Sequence, residues 1–201
     1  MNMKLCILSK WLPKFILIKE LQKTSEITND YLDKLLKKYC ITPPVMEKQN
    51  KEDLENRRTL MATEHNLKVK ALVELLGREK AVEVGRAQMF KAGCKIGCEA
   101  RERLGVGENI EDAIAAANIL YKVLGIKFHV ENRGKDLILR VNSCALAVQY
   151  TPETCEVMSA VDKGVLNGLN SNMDLEFVDR ITEGAEECKA CINIKKIGEK
   201  K

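Results

Sequence analysis

Apolar residues recur at helical spacing through the first half of the chain. In the segment 26–40, EITNDYLDKLLKKYC, they lie three to four residues apart and so share one face of a helix. The two prolines of the following ITPPV end that helix, because proline has no backbone N–H and cannot continue the hydrogen-bond ladder. The polar segment 47–58 is either a linker or the exposed start of the next helix.

Three more helices are predicted before residue 125. They cover residues 60–76, 78–104 and 109–124. Gly77 and Gly125 follow the first and the third of them, and Asn109 is the expected N-cap of the third.

Gly93 and Gly97 lie four residues apart in the second of these helices and therefore on one side of it. Small residues at this spacing let another backbone approach closely. This pattern fits a packed dimer and a ligand groove equally well. Cys94 and Cys98 have the same spacing, and core packing is expected for them.

After Gly125 the period of the pattern changes from 3.6 to 2. The runs IKFHVEN and LILRVNS alternate around the turn RGKD and predict a hairpin. Thr151 followed by Pro152 is a strong helix start, and two more alternating runs, MDLEFVDRI and CKACINIKK, flank the turn TEGAEE. The pattern predicts an α+β fold in which an antiparallel four-stranded sheet, ββαββ, packs with the preceding helices.

The chain is expected to divide into three parts. Residues 1–55 form an N-terminal helical extension and linker, residues 56–196 the α+β domain, and residues 197–201 a basic tail. The opening MNMKLCILSKWLPKFILIKEL is amphipathic, and its lysines and Pro13 interrupt every apolar run before it is long enough to span a membrane. It is either a docking segment or an extension packed on its own domain.

Composition narrows the classes of function. The chain has 33 basic and 29 acidic residues, with a net charge of +4 and only 4% aromatic residues. Single-stranded nucleic acid needs aromatic stacking platforms, so no nucleic-acid partner is expected. Eight cysteines without a secretory signal indicate reduced thiols and a cytoplasmic location.

Four cysteines from residue 144 onward are candidates for a common site. Cys144 ends a strand, Cys155 lies in the first turn of a helix, and Cys188 and Cys191 share the last hairpin. Four thiolates at one rim of the sheet would hold zinc tetrahedrally; the alternative is a set of reduced, partly buried thiols. The helix N-terminus favours the thiolate of Cys155, as a nucleophile or redox sensor, unless this residue is a core thiol.

Five segments together resemble a known superfamily over roughly residues 62–196. They are GRAQMFKAGCKIG, LGIKFHV, RVNSCALA, DKGVLNGLNSNMDLEF and RITEGAEEC. In order and spacing they are similar to the 4-vinyl reductase domain superfamily, and most of all to its L-2-amino-thiazoline-4-carboxylic acid hydrolase-like branch.

The resemblance implies a small-molecule-binding protein that hydrolyses a C–N bond of a cyclic amidine. The residues that it nominates for catalysis are Asp162, Glu183 and Cys155, with Cys188 as an alternative nucleophile or ligand. A substrate carboxylate would be held by Arg86, Arg140 or Arg180, each of which has a surface salt bridge as its ordinary interpretation. His129 is solvated if Phe128 and Val130 face the core; otherwise it lines a pocket.

Two other functions stay open at this point. One is a non-enzymatic ligand-binding domain of the vinyl reductase type, with an apolar cavity. The other is a zinc or thiol sensor whose N-terminal helices contact a partner. A homodimer paired through the helices is also expected from the resemblance.

Overall fold

The computed structural model describes Leu5, Leu8 and residues 11–44, 53–133 and 136–195. For residues 133 and 136 only the backbone is described. The predicted basic tail, most of the first ten residues and the linker residues 45–52 lie outside these ranges.

Five described helices account for most of the chain. They are α1 (Lys14–Lys38), α2 (Leu54–Leu76), α3 (Arg78–Leu104), α4 (Ile110–Leu124) and α5 (Pro152–Leu169). Helix α1 begins at Lys14, well before the predicted residue 26, because Pro13 precedes it at a position where a missing backbone N–H costs nothing. Of the polar segment 47–58, the part from Leu54 onward is the exposed start of α2.

Side-chain caps fix three of the helix starts. The side chains of Asp53, Asn109 and Thr151 accept hydrogen bonds from backbone N–H groups in the first turns of α2, α4 and α5. Each cap satisfies a donor that has no partner within the helix. The boundaries predicted from Asn109 and Thr151 are therefore confirmed.

The four strands form one antiparallel sheet. Their bounds are β1 (Ile126–Arg133), β2 (Asp136–Cys144), β3 (Met173–Asp179) and β4 (Cys188–Ile194), and their spatial order is β1-β2-β4-β3. Helix α5 carries the chain from β2 to β3 at the opposite edge of the sheet. The predicted α+β class with a ββαββ sheet is confirmed.

The sheet has a buried inner face and a charged outer face. Val141 is paired with Cys188 on the inner face, whereas Arg140 is paired with Lys189 on the outer face. Helix α4 contacts β1 and helix α5 contacts β3; α3 packs on α5, and α1 and α2 pack on α3. No helix among the residues described is long and apolar enough to cross a membrane.

Helices α3 and α5 are in backbone contact. Gly93 lies against Gly164 and Gly97 lies against Gly168, so the two helices run parallel. A Cβ atom at Gly164 would lie 2.9 Å from the Cα atom of Gly93, closer than side chains pack. The partner predicted for the Gly93 and Gly97 stripe is thus a helix of the same chain, and this stripe is not available for a dimer.

Candidate functional site

A cavity of about 80 Å³ lies where helices α1, α2, α4 and α5 meet the inner face of the sheet. Its walls are mainly apolar, with side chains such as Met61, Leu124, Val141, Met158 and Phe177. An apolar enclosure with a few polar groups is the usual form of a small-molecule site.

Three of the four nominated cysteines line this cavity. Cys144 comes from the end of β2, Cys155 from the first turn of α5 and Cys188 from the start of β4. The pairing of Val141 with Cys188 places the end of β2 next to the start of β4, and Cys155 in the first turn of α5 borders the same cavity. Folding therefore gathers sulfur atoms that are far apart in the sequence.

Burial keeps these thiols protonated. It raises the pKa of Cys144 and of Cys155 to about 11 each, and it also raises the pKa of Cys188. For Cys155 this outweighs a hydrogen bond with Thr182 and the charge of Arg180, which both act in the opposite direction. The thiolate expected from the helix N-terminus is therefore not favoured, because desolvation is the larger effect.

Cys191 does not join the other three. It is paired with Ile138 and Glu176 and lies on the outer face of β4, because residues three apart in a strand point to opposite sides. Within the described ranges, no group of three or more His, Cys, Asp or Glu residues could hold a metal ion. The predicted four-cysteine zinc site is not assembled in this part of the chain.

Asp162 supplies a carboxyl group to the cavity. It lies on α5 two turns after Cys155 and also borders a small apolar space beneath the sheet. Burial raises the pKa of Asp162 to about 7, while hydrogen bonding with Tyr121 lowers it somewhat. A carboxyl group with this pKa can both accept and donate a proton near neutral pH.

Arg180 places a buried cation at the same cavity. Its residue is 8% exposed, and its guanidinium stacks 5.6 Å above the Phe177 ring. One terminal nitrogen lies 3.5 Å from a Glu183 carboxylate oxygen, and the other donates to Ser159 Oγ at 3.4 Å. Among the described residues, no acceptor reaches Arg180 Nε, although this atom is buried. A buried donor without a partner is costly and favours an anionic ligand.

His65 and Tyr150 are polar cavity residues that sequence reasoning missed. His65 is 1% exposed; its Nδ1 lies 2.7 Å from the Tyr150 hydroxyl and its Nε2 lies 3.0 Å from Thr28 Oγ1. No local motif identifies them, because His65 is in α2, Tyr150 is in the loop before α5 and Thr28 is in α1. Only the folded chain brings the three side chains together.

Two of the other nominated residues lie on the outer face of the sheet. Arg140 forms ion pairs there with Glu131 and Glu187, and His129 has a side chain that is 51% exposed. The cavity does not include either side chain. The solvated alternative for His129 is the one observed, because Phe128 packs against the core.

The two remaining residues also lie outside the cavity. Arg86 is paired with Glu176 at 3.2 Å near the edge strand β3. Glu183 lies in the single helical turn before β4 and contacts the site through its ion pair with Arg180. Of the three nominated arginines, the structure brings Arg180 alone to the cavity.

The helices and the antiparallel sheet, with an apolar cavity between them, define an α+β domain of the 4-vinyl reductase-like fold. A model of the L-2-amino-thiazoline-4-carboxylic acid hydrolase family matches residues 55–192, so the chain belongs to this family. Helix α1, which supplies Thr24 and Thr28 to the cavity, precedes the matched region.

Among solved structures, the chain is similar to trafficking protein particle complex subunit 3 from Naegleria fowleri, in a crystal structure covalently bound to palmitic acid. The sequences are 16% identical, and the TM-score is 0.53 over 69% of this chain and 95% of that one. At this identity the similarity establishes the shared fold. No curated protein matches the chain significantly.

Proposed function

We propose that this protein binds a small heterocycle carrying a carboxylate and a cyclic amidine, and that it hydrolyses a C–N bond of the amidine. The observation that carries the proposal is the presence of Arg180 and Asp162 in one apolar cavity. Arg180 offers a free Nε donor to a carboxylate, and Asp162 offers a carboxyl group that titrates near neutrality. The family to which the chain belongs is named for a substrate with both groups.

Asp162 has the properties that the hydrolytic step requires. As a carboxylate it removes a proton from a water molecule whose oxygen bonds to the amidine carbon. It then returns that proton to the ring nitrogen. As the carbon–nitrogen bond breaks, the hydroxyl group of the tetrahedral intermediate gives its proton to the Asp162 carboxylate and becomes a carbonyl group, and the departing amine takes that proton up. A pKa near the working pH allows one residue to perform both transfers.

Cys155 and Glu183 have supporting roles in this proposal. Cys155 stays a neutral thiol in the cavity wall, since its pKa is raised to about 11. Glu183 holds one end of the Arg180 guanidinium and so orients the carboxylate-binding edge.

The test measures binding and hydrolysis of L-2-amino-thiazoline-4-carboxylate by the purified protein, with calorimetry for the first and mass spectrometry for the second. Arg180→Gln is expected to weaken binding by about 10- to 100-fold, since a charge-assisted hydrogen bond is lost. The matched control is Arg140→Gln, which removes a paired arginine from the outer face and leaves binding unchanged. Asp162→Asn is expected to abolish hydrolysis while binding persists.

Equal binding by the Arg180 and Arg140 variants would contradict the carboxylate site. Undiminished hydrolysis by the Asp162→Asn variant would contradict the proton-transfer role.

A second candidate function is the binding of an apolar ligand without catalysis. The apolar walls of the cavity support it, as does the palmitic acid bound to the trafficking complex subunit of similar fold. The raised pKa of the cavity thiols does not favour a covalent thioester to one of them. Mass spectrometry of organic extracts of the protein separates the two functions, because only this candidate expects a co-purified fatty acid.

The expected cytoplasmic location and homodimer are part of the same proposal. Each cysteine described is a free thiol, which supports a reducing compartment. The dimer rests on the resemblance alone, and light scattering of the purified protein tests it.

A further inference from the structure

A chain of hydrogen bonds links helix α1 to the cavity. Thr28 Oγ1 lies 2.9 Å from the carbonyl oxygen of Thr24 and 3.0 Å from His65 Nε2, and His65 Nδ1 lies 2.7 Å from the Tyr150 hydroxyl. All four residues line the cavity. This chain of hydrogen bonds thus begins at the backbone carbonyl group of Thr24, which can only accept a hydrogen bond, and ends at the phenol group of Tyr150.

The contacts of Thr28 favour one direction for the protons along these hydrogen bonds. The one hydroxyl proton of Thr28 has three acceptors within reach: the carbonyl oxygens of Thr24 at 2.9 Å and of Ser25 at 3.2 Å, and His65 Nε2 at 3.0 Å. When the proton goes to a carbonyl oxygen, of which two are in reach, Thr28 Oγ1 accepts from His65 and His65 Nε2 carries a hydrogen. In a neutral imidazole the other nitrogen, Nδ1, is then an acceptor.

His65 is neutral under all ordinary conditions. Burial lowers its pKa to about 3, and the nearby charge of Lys68 acts in the same direction. That ammonium group is itself held by Asp33 at 2.7 Å and by Asn29 at 2.9 Å, both on α1. With hydrogen on Nε2, the neutral ring has none on Nδ1, and the Tyr150 hydroxyl is then the donor in their hydrogen bond.

Tyr150 is also held firmly in position. Asn66, the neighbour of His65 on α2, donates to the carbonyl oxygen of Gln149 at 2.7 Å and accepts from the backbone N–H of Thr151 at 3.3 Å. The backbone is therefore tied to α2 on both sides of Tyr150. Because the Tyr150 hydroxyl donates its only proton to His65, its oxygen can only accept a hydrogen bond from a ligand.

We propose that Tyr150 is a specificity-determining residue that accepts a hydrogen bond from an N–H of the amidine ligand, and that Thr28 and His65 are positioning residues that fix its polarity. This inference rests on the proposed function for the identity of the ligand. In this arrangement Tyr150 accepts a hydrogen bond at the nitrogen end of the ligand, and Arg180 binds its carboxylate. Thr28 lines the cavity, so helix α1 is part of the site although it precedes the family-matched residues 55–192.

The first experiment determines which nitrogen of His65 carries the hydrogen in the ligand-free protein, and hence the direction of the hydrogen bonds from Thr28 to Tyr150. Nitrogen-15 NMR of labelled histidine distinguishes the two neutral tautomers, and His129, the only other histidine of the sequence, serves as a solvent-exposed reference. The wild-type protein and Thr28→Ser are expected to show hydrogen on His65 Nε2. Thr28→Val removes the acceptor, so His65 is expected to shift towards the tautomer with hydrogen on Nδ1. Hydrogen on Nδ1 in the wild-type protein would overturn the proposal.

The second experiment reads ligand selection by calorimetry. L-2-amino-thiazoline-4-carboxylate is compared with thiazoline-4-carboxylate, which lacks the amino group. Tyr150→Phe is expected to reduce the preference for the amino compound about tenfold, as for a hydrogen bond to a charged donor, while binding of the second compound stays the same. Thr28→Val is expected to reduce the preference as well, and Thr28→Ser to retain it.

An unchanged preference in Tyr150→Phe would refute the selective role of Tyr150. If the wild-type protein binds neither compound, the ligand assignment fails together with the proposed function, and the NMR result still decides the polarity of the chain. A melting temperature within a few degrees of wild type confirms that each variant is folded.

Discussion

The two sides of helix α5 differ in what they contribute. The side that faces α3 carries Gly164 and Gly168, has no side chains there and meets a second backbone directly. The side that faces the sheet carries Cys155 and Asp162, which line the cavity. A contact between backbones leaves no room for adjustment, so the first side fixes the position of the second. Packing and chemistry are divided between two faces of one helix.

The largest effect on stability is expected from a substitution on the side of α5 that faces α3. A methyl group at Gly164 would meet the Gly93 Cα atom at 2.9 Å and the Phe90 carbonyl oxygen still more closely. Gly164→Ala is therefore expected to lower the free energy of unfolding by at least about 3 kcal/mol, in urea titrations followed by circular dichroism.

The matched control is Gly107→Ala, in the loop before α4. A Cβ atom there would find a side-chain oxygen of Asp112 at 3.3 Å as its nearest contact, and a side chain can move. Its expected effect is within about 1 kcal/mol. Equal losses in the two variants would show that the α3–α5 contact is not rigid.

An intermediate effect on stability, dependent on pH, is expected from a substitution on the side of α5 that faces the cavity. Since the pKa of Asp162 is about 7 in the folded protein and 3.8 in its reference state, the folded chain binds more protons between these values. The stabilising contribution of the neutral Asp162 carboxyl group is therefore present below pH 4 and is lost as the pH rises to 7. Asp162→Asn removes this loss, and the free energy of unfolding of the variant relative to wild type is expected to rise by about 2–4 kcal/mol from pH 4 to pH 8.

Asp174→Asn is the control for that series. Asp174 lies in β3, outside the cavity, and pairs with Lys163 at 3.3 Å. Its stability difference from wild type is expected to lack the rise. A flat profile for Asp162→Asn would mean that the carboxyl group is solvated.

The smallest effect concerns thiol reactivity. Cys155, on the cavity side of α5, is partly buried and has its pKa raised to about 11, whereas Cys98 on α3 is exposed. Iodoacetamide at pH 8 is expected to modify Cys155 at least about tenfold more slowly, as followed by peptide mass spectrometry. Equal rates would place Cys155 in contact with solvent.

The fold was largely predictable from the sequence because its signals are local. Thr151 with Pro152 marks the start of α5, and the change of period after Gly125 marks the sheet. The early start of α1 was missed because its first turns contain the continuous apolar run FILI, whereas regular helical spacing begins only near residue 26.

The cavity was predictable only in part. The gathering of Cys144, Cys155 and Cys188 follows from the topology, and alternation along β4 correctly separates Cys191 from them. No local rule reveals that burial outweighs the helix terminus at Cys155, since desolvation depends on residues distant in the chain. The pairing of His65 with Tyr150 joins residues 85 positions apart and has no sequence signature.

The parallel course of α3 and α5 has an electrostatic consequence. Two helix macrodipoles that point the same way repel each other and bring their positive N-terminal ends side by side. Acidic side chains offset this positive potential. Glu79 lies in the first turn of α3, and Glu153 lies in the first turn of α5. The pKa of Glu153 is lowered, first by a backbone hydrogen bond at the helix end and then by Arg78. At the N-terminal end of the glycine contact between α3 and α5, carboxylates thus offset the two aligned helix dipoles.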